Sequence, residues 1–326
     1  MAVEQLYGWS PNPAAVESYL NAPDNKYPVF TASGAQLKRE YEKKDTNLAL
    51  GIVACNPNWQ RGAQGIGDCV SWGLELAGTA LVAKQCLRTG NKKMFCEVAT
   101  EPLYGGSRVE VYGIKYGSWE DGANGAKAAE FARRYGMHLR KDHSKETGNP
   151  EHDLRKYDAK RAKQWGYYGC GGQRDGGKLD LLAKNMPAKT TTLVTCFDDV
   201  AAAIAGAKCP VTIASNYGSS MKRDKWGQCK WDGSWNHQMV LLAVRFGPRP
   251  GARCFQSWGP MVASGGEDPN ESDFGKYKFM SGCSWWIPAS DIDRICKQGD
   301  SHAIGDIEGW KIDTFDYSQN FGLVEG

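Results

Sequence analysis

The sequence predicts an α+β protein built from two lobes. Helical patterns come first along the chain and strand patterns follow, an order that excludes an alternating parallel α/β sheet. The length of 326 residues allows a large buried core. The 39 glycines and 12 tryptophans are typical of a protein with many turns and aromatic-lined grooves. We predict an N-terminal arm over 1–50, a helical lobe over 51–189 and a β-rich lobe over 190–326.

Two helices are predicted in the first lobe. One begins at Cys69, where Asp68 is a suitable N-cap, "CVSWGLELAGTALVAKQCL" has apolar residues at helical spacing, and "RTGN" supplies a basic last turn and a glycine. A second is predicted over 125–136 in "GAKAAEFARRYG", which ends in Tyr-Gly. The N-terminal arm is polar and contains several prolines, and a short helix is predicted in its charged segment "GAQLKREYEKKD".

Strands dominate the chain after the polar region 140–188. "TTTLVTCF" and "CPVTIAS" predict strands on either side of a capped helix that begins near Asp198 in "DDVAAAIAGAK". Three more strands are predicted in "HQMVLLAVRFG", "ARCFQSW" and "KYKFM".

The bulk composition excludes several classes of function. A net charge of +3 does not indicate nucleic-acid binding, and no apolar run reaches the roughly 18 residues that span a bilayer. The N-terminus lacks the basic and apolar regions of a secretory signal. Eleven cysteines without a C-x-x-C pair predict neither disulfides nor a metal site, and no organic cofactor is indicated. We expect a reducing location, either the cytoplasm or a virion assembled there.

Cys69 differs from the other cysteines because it opens a helix. The positive end of the helix dipole lowers a thiol pKa, although a charged Asp68 would oppose that effect. A nucleophilic thiolate also needs a base and donors for an oxyanion, and we expect the amide of Gln64 and the backbone N–H of Cys69 to be those donors. Helix position alone does not establish catalysis, because most helical cysteines are small buried hydrophobes.

Two later segments supply candidate partners for Cys69. His237 begins an apolar strand directly after Asn236, and Gln256 ends the next strand, two residues before Trp258. A cysteine, a histidine and an amide in this order can form a thiolate with an oriented imidazole. The other histidines fit less well, since they are predicted in charged loops or in the acidic tail: His138, His143, His152 and His302.

These segments together resemble the papain-like cysteine peptidases of the C1 family over residues 60–295. The similar motifs are "QGIGDCVSWG", "GANGAKAAEFARRYGM", "DDVAAAIAGAKCPVTIAS", "NHQMVLLAVRFG", "QSWG" and "CSWWIPASDI". The resemblance implies a papain-like two-lobed fold, with a helical lobe, an antiparallel β-barrel-like lobe and a cleft between them. It implies that Cys69 is the nucleophile, His237 the base, Gln256 the orienting amide and Gln64 the oxyanion donor.

The resemblance also implies a substrate cleft. Its walls would include Gly125 and Ala126, which correspond to a segment that pairs with the substrate backbone, together with Asn236 and Trp258. Trp258 would shield the contact between Gln256 and His237. The expected substrate is a peptide or protein.

The sequence departs from the family pattern around the nucleophile. Gln64 lies five residues before Cys69 instead of six, and Gln256 stands where asparagine is usual. Further departures are Val70 in place of tryptophan, Ala126 in place of glycine, and Ile66 and Ala123 where the family has a disulfide. We expect no long inhibitory pro-segment, so that control of proteolysis would come from elsewhere.

Three hypotheses about function follow. The first is an active thiol endopeptidase. The second is a catalytically weak or inactive papain-fold component of a phage particle or other assembly, with other virion subunits as partners; "YGGSRVEVYG" resembles bacteriophage proteins. The third is another acyl transfer such as cell-wall amide hydrolysis, which ranks last because the Cys69–His237 separation, 237 − 69 = 168, is long for a compact amidase.

Overall fold

The computed structural model describes residues 6–11, 14, 17, 21, 43–111, 113, 121–172, 177–183, 186, 188–268 and 278–305. Its helices are α1 Ala49–Cys55, α2 Cys69–Arg88, α3 Thr100–Gly106, α4 Gly125–Arg134, α5 Ser144–Thr147, α6 Ala159–Tyr168, α7 Lys178–Ala183, α8 Phe197–Ala201, α9 Lys278–Gly282 and α10 Ala289–Cys296. Short 3₁₀ turns cover Lys92–Met94 and Pro150–His152, and π-helical turns cover Ser107–Val111 and Ala202–Gly206.

The strands are β1 Thr46–Asn47, β2 Thr191–Leu193, β3 Val211–Ser219, β4 Lys222–Arg223, β5 Trp231–Arg245, β6 Gly251–Phe255, β7 Ser264–Gly265, β8 Ser284–Pro288 and β9 Ser301–Ile304. Within the described residues, one antiparallel sheet has the order β2-β9-β3-β5-β6-β8, and β1 pairs with β5. The predicted α+β class is confirmed. Barrel-like closure of this lobe and the division at residues 50 and 189 stay predictions.

Helix α2 lies at the centre of the molecule. It begins at Cys69 as predicted, and it is buried over nearly its whole length, which explains why its sequence is apolar on several faces. Strand β5 passes close to it at Gly73, where an added Cβ would lie 3.0 Å from the Gln238 side chain. The glycine therefore permits the close approach of the helix to the sheet.

The helix predicted over 125–136 is confirmed as α4. Its N-cap Asn124 accepts a hydrogen bond from the backbone of Lys127, and Gly136 follows with a positive φ of 92°. The helix predicted near Asp198 is also present, as α8 and the π-helical turn that continues it.

Several sequence expectations differ from the structure. "KYKFM" was expected to be a strand, but its described part, from Lys278, begins helix α9. His302 was expected in the acidic tail, but it lies in β9, buried opposite Thr212. His138 and His152 are buried too, although their charged neighbours predicted a solvated loop. Most of "GAQLKREYEKKD" and residues after 305 lie outside the described residues.

A buried ion pair fastens α2 to the loop before it. The Arg61 guanidinium binds the Glu75 carboxylate, and both side chains are less than 5% exposed. Arg61 also donates to the carbonyls of Trp72, at 2.8 Å, and Gln256, at 2.9 Å. One side chain thus links the loop, the helix and the end of β6.

Among the described residues, no helix is long and apolar enough to cross a bilayer.

Replacing Arg61 tests this link. Arg61→Met should lower the free energy of unfolding by about 3–5 kcal/mol, because it leaves the Glu75 carboxylate buried without its partner. Urea denaturation followed by circular dichroism measures the change. The double variant Arg61→Met/Glu75→Leu should recover most of the loss, and a single-variant cost below about 1 kcal/mol would contradict the assignment.

Candidate active site

Cys69 is fully buried at the first turn of α2. Its Sγ accepts a hydrogen bond from the backbone N–H of Gln238 at 3.4 Å. Burial raises the pKa of the Cys69 thiol to about 12, outweighing the backbone N–H groups of Gln238, Gly8 and Val70, which lower it. The thiol is therefore neutral in this conformation, despite its place at the positive end of the helix dipole.

Asp68 precedes the thiol and is also buried. The Asp68 side chain was predicted to cap the helix, but it makes no capping hydrogen bond. Its Oδ2 accepts a hydrogen bond from the Tyr157 hydroxyl at 3.0 Å. Burial raises the pKa of Asp68 well above its usual range. The charge of Asp68 adds to the effect of burial in raising the pKa of the Cys69 thiol, so the conflict seen in the sequence persists in the structure.

His237 lies in β5, directly before Gln238 in the chain. Its ring stacks on Trp258, with centroids 4.4 Å apart and an interplanar angle of 28°. Neither ring nitrogen has a hydrogen-bond partner among the described residues. Burial, with a smaller effect from the positive charge of Arg61, lowers the pKa of His237 to about 3. The imidazole is consequently neutral.

Gln256 makes no hydrogen bond with His237 in this structure. Its Nε2 donates to the Gly259 carbonyl at 2.9 Å, and its Oε1 accepts from the backbone N–H of Trp258. The side chain folds back onto its own turn because its extra methylene allows the amide to reach residues two and three positions ahead. The orienting role expected from the sequence is not formed here, and Trp258 covers the imidazole instead.

The side-chain amide of Gln64 is held by three hydrogen bonds. Its Oε1 accepts from the Ser257 hydroxyl, and its Nε2 donates to the Ile66 carbonyl at 2.8 Å. These two contacts orient the amide. Nε2 also donates a second hydrogen bond, to the Leu6 carbonyl oxygen at 3.1 Å. A main-chain carbonyl group is therefore already bound to the Gln64 amide.

The chain's own residues 6–10 occupy the cleft beside these groups. The Leu6 carbonyl also accepts from Trp258 Nε1 at 2.9 Å, and the Tyr7 ring meets His237 edge-on, with centroids 6.4 Å apart. The backbone N–H groups of Gly8 and Trp9 both donate to the Asn236 carbonyl at 3.1 Å. Residues of the predicted N-terminal arm therefore lie against the candidate site, and the source of any control of proteolysis stays a prediction.

The opposite wall of the cleft pairs with the same segment at Ala123. The Ala123 N–H donates to the Gly8 carbonyl at 2.9 Å, and the Ala123 carbonyl accepts from the Ser10 N–H at 2.9 Å. These two hydrogen bonds form a parallel bridge between Ala123 and Trp9. The sequence predicted this wall at Gly125 and Ala126. The N–H groups of those two residues donate to the buried Asp300 carboxylate, at 2.8 Å from Gly125 and 2.7 Å from Ala126.

Trp9 anchors the covering segment. Its Nε1 donates to Asp300 Oδ2 at 2.8 Å, and its ring is 5% exposed. Gly8 lies so close to the loop before α2 that an added Cβ would be 1.9 Å from the Gly67 carbonyl oxygen. Only glycine fits at this crossing, because any other side chain would overlap the backbone.

Sequence analysis missed Ala123, Ser257 and Asp300, and it did not connect residues 6–10 with the cleft. Asp300 comes from the far end of the β-rich lobe, and no local pattern marks it. The one available signal was Gly8 between two aromatic residues, Tyr7 and Trp9, in an otherwise polar arm.

The chain has the papain-like fold, with the candidate nucleophile at the start of the central helix and the histidine on the facing strand. It is similar to the crystal structure of xylellain, a cysteine protease from Xylella fastidiosa, with 16% identity, a TM-score of 0.57, and coverage of 94% of this chain and 100% of that one. It is also similar to procathepsin B S9 from Trypanosoma congolense, with 13% identity, a TM-score of 0.53, and coverage of 93% and 87%.

No protein-family model matches the sequence, and no curated protein matches it either. At these identities the solved structures show the fold alone. They lend no support to the bacteriophage or virion hypothesis.

The electrostatics of His237 lead to a pH prediction. Its pKa in the covered site, about 3, lies below its ordinary value, about 6.5, so the neutral imidazole stabilises the covered state above about pH 6.5. That stabilisation is lost as the pH falls towards 3. Long-range ¹H–¹⁵N spectra of the full chain should show His237 neutral at pH 5, with His237→Gln assigning the resonance. Titration near pH 6.5 in the full chain would contradict the covered state.

The close passage of Gly8 leads to a second prediction. Gly8→Ala should displace residues 6–10 and raise the rate of Cys69 alkylation by iodoacetamide about tenfold or more, equivalent to about 1.4 kcal/mol. Mass spectrometry of the Cys69 peptide separates this thiol from the other ten. The matched control is Gly247→Ala, where an added Cβ meets nothing within 4 Å. An unchanged rate in Gly8→Ala would show that the segment does not shield Cys69.

Proposed function

We propose that this protein is a thiol-dependent peptide-bond hydrolase of the papain type, held latent in this conformation by its residues 6–10. The observation that carries the proposal is the segment itself. An extended stretch of polypeptide lies across Cys69 and His237, and its backbone is held by Ala123, Asn236 and Gln64. A cleft that binds this backbone has the donors and acceptors needed for a peptide substrate.

Uncovering the cleft is the first step of the proposed mechanism. Removal of residues 6–10 admits water and reverses the burial that raises the pKa of Cys69 and lowers that of His237. The thiol proton can then pass to the imidazole, and the resulting thiolate is stabilised by the Gln238 N–H and the helix dipole.

The thiolate of Cys69 attacks the substrate carbonyl carbon and forms a C–S bond while the carbonyl oxygen becomes an oxyanion. Gln64 Nε2 and the backbone N–H of Cys69 donate to that oxyanion. Gln64 needs no rearrangement for this, because Ser257 and Ile66 already orient its amide and the Leu6 carbonyl marks the acceptor position.

Collapse of this intermediate breaks the C–N bond. His237 gives its proton to the departing amine, leaving an acyl group on the sulfur. Water, deprotonated by His237, then releases the acid and restores the thiol. Stacking on Trp258 fixes the plane of the imidazole throughout, which is the task that the sequence assigned to Gln256.

A non-catalytic role is the second candidate function. It is favoured by one observation: Gln256 is turned towards Gly259, so no side-chain amide orients His237. On this hypothesis the cleft holds a peptide segment as a binding module and performs no hydrolysis.

Peptide hydrolysis by uncovered protein separates the two candidates. Gly8→Ala should cleave a quenched fluorescent peptide library and react with an epoxide or vinyl-sulfone thiol probe at Cys69. Adding Cys69→Ala should reduce hydrolysis by about 10³-fold or more and abolish labelling at that site. Adding Cys209→Ala, at a partly exposed cysteine outside the cleft, should leave both unchanged. Labelling of Cys69 without hydrolysis would reject the peptidase and support the binding module.

A further inference from the structure

Three side chains outside the candidate active site converge within the helical lobe. His138 follows the turn after α4, Cys170 lies in the turn after α6, and Asp180 belongs to α7. One potential ligand atom from each residue lies within 4.8 Å of those from the other two. His138 and Cys170 are 2% and 4% exposed, while Asp180 is half-buried. The convergence is therefore largely shielded from solvent.

The hydrogen bonding of His138 defines which ring nitrogen can bind a ligand. Nε2 lies 2.8 Å from the Leu179 carbonyl oxygen, and a carbonyl only accepts, so Nε2 carries the proton. Nδ1 therefore keeps its lone pair, and it is buried with no hydrogen-bond partner among the described residues. A metal-binding histidine commonly donates its other N–H to a backbone carbonyl in this way.

We propose that His138, Cys170 and Asp180 form a zinc site. Thiolate, imidazole and carboxylate are the three donor types that Zn²⁺ takes in proteins, whereas Mg²⁺ and Ca²⁺ prefer oxygen ligands throughout. Ligand atoms around tetrahedral zinc are about 3.5 Å apart. The present spacing of up to 4.8 Å therefore needs a contraction of at most about 1.3 Å, since 4.8 − 3.5 = 1.3.

The charges of this set suit a buried site. One thiolate and one carboxylate balance the two positive charges of zinc, and the imidazole is neutral. A buried ion set without net charge avoids most of the cost of moving charge out of water. Three protein ligands leave the fourth tetrahedral position for water.

The surrounding contacts hold two of the ligands in place. The backbone N–H of Cys170 donates to Glu110 Oε1 at 2.8 Å, and the carbonyl that accepts from His138 belongs to Leu179, next to Asp180 in α7. Zinc at this point would fasten α7 to the turns after α4 and α6. No sequence motif marks this site, because separations of 32 and 10 residues match no short zinc-binding pattern.

Metal binding by the full chain tests the proposal. After treatment with a chelator and dialysis against ZnSO₄, the protein should retain about one zinc per chain by elemental mass spectrometry. Cobalt(II) in its place should produce a thiolate-to-cobalt charge-transfer absorption. Cys170→Ser should abolish that absorption, and Asp180→Asn, at the half-exposed ligand, should weaken cobalt binding about tenfold or more.

Control variants separate this site from the other thiols. Cys69→Ala and Cys209→Ser should both keep the cobalt absorption, so that neither the candidate nucleophile nor an unrelated cysteine accounts for it. Circular dichroism checks that each variant is folded. Failure of the folded wild-type chain to retain zinc, or an absorption that survives in Cys170→Ser, would overturn the proposal. Neither result depends on whether the protein hydrolyses peptides.

Discussion

The contact between the start of α2 and strand β5 positions every other part of the candidate site. Gln238 forms two hydrogen bonds in this contact. Its backbone N–H donates to Cys69 Sγ, and its side-chain amide donates to the Val70 carbonyl at 2.9 Å. Gly73 allows the strand to come this close. Because His237 precedes Gln238 on the same strand, the contact that joins helix to sheet also fixes the backbone of His237 relative to Cys69.

Burial then decides the protonation of the pair. With residues 6–10 over the cleft, desolvation outweighs the helix dipole and the nearby N–H groups, so the thiol and the imidazole are both neutral. The same residues satisfy the cleft's backbone donors and acceptors. Latency in the proposed peptidase thus has two physical components, steric cover and the loss of the ion pair, and removing one peptide segment reverses both.

Residue patterns within one segment predicted those helices and strands that depend mainly on interactions within that segment. The spacing of apolar residues was sufficient for α2, the segment ending in Tyr-Gly was sufficient for α4, and the apolar run after His237 was sufficient for β5. Residues 6–10 pair with Ala123 and not with the N–H groups at 125 and 126, because Asp300, some 175 residues away in the chain, accepts from those two groups. No spacing rule contains such a contact.

The sequence by itself determined the two-part order of helices and strands, and it singled out Cys69 and His237 through their places at the start of a helix and of an apolar strand. Only the tertiary structure decided the state of those groups. The Gln256 amide folds back on its own turn, Trp258 stacks on the imidazole, and Asp68 is buried beside Tyr157. The reason is that pKa values and hydrogen-bond partners depend on solvent exclusion and on neighbours that are distant in the chain, which residue order along one segment does not encode.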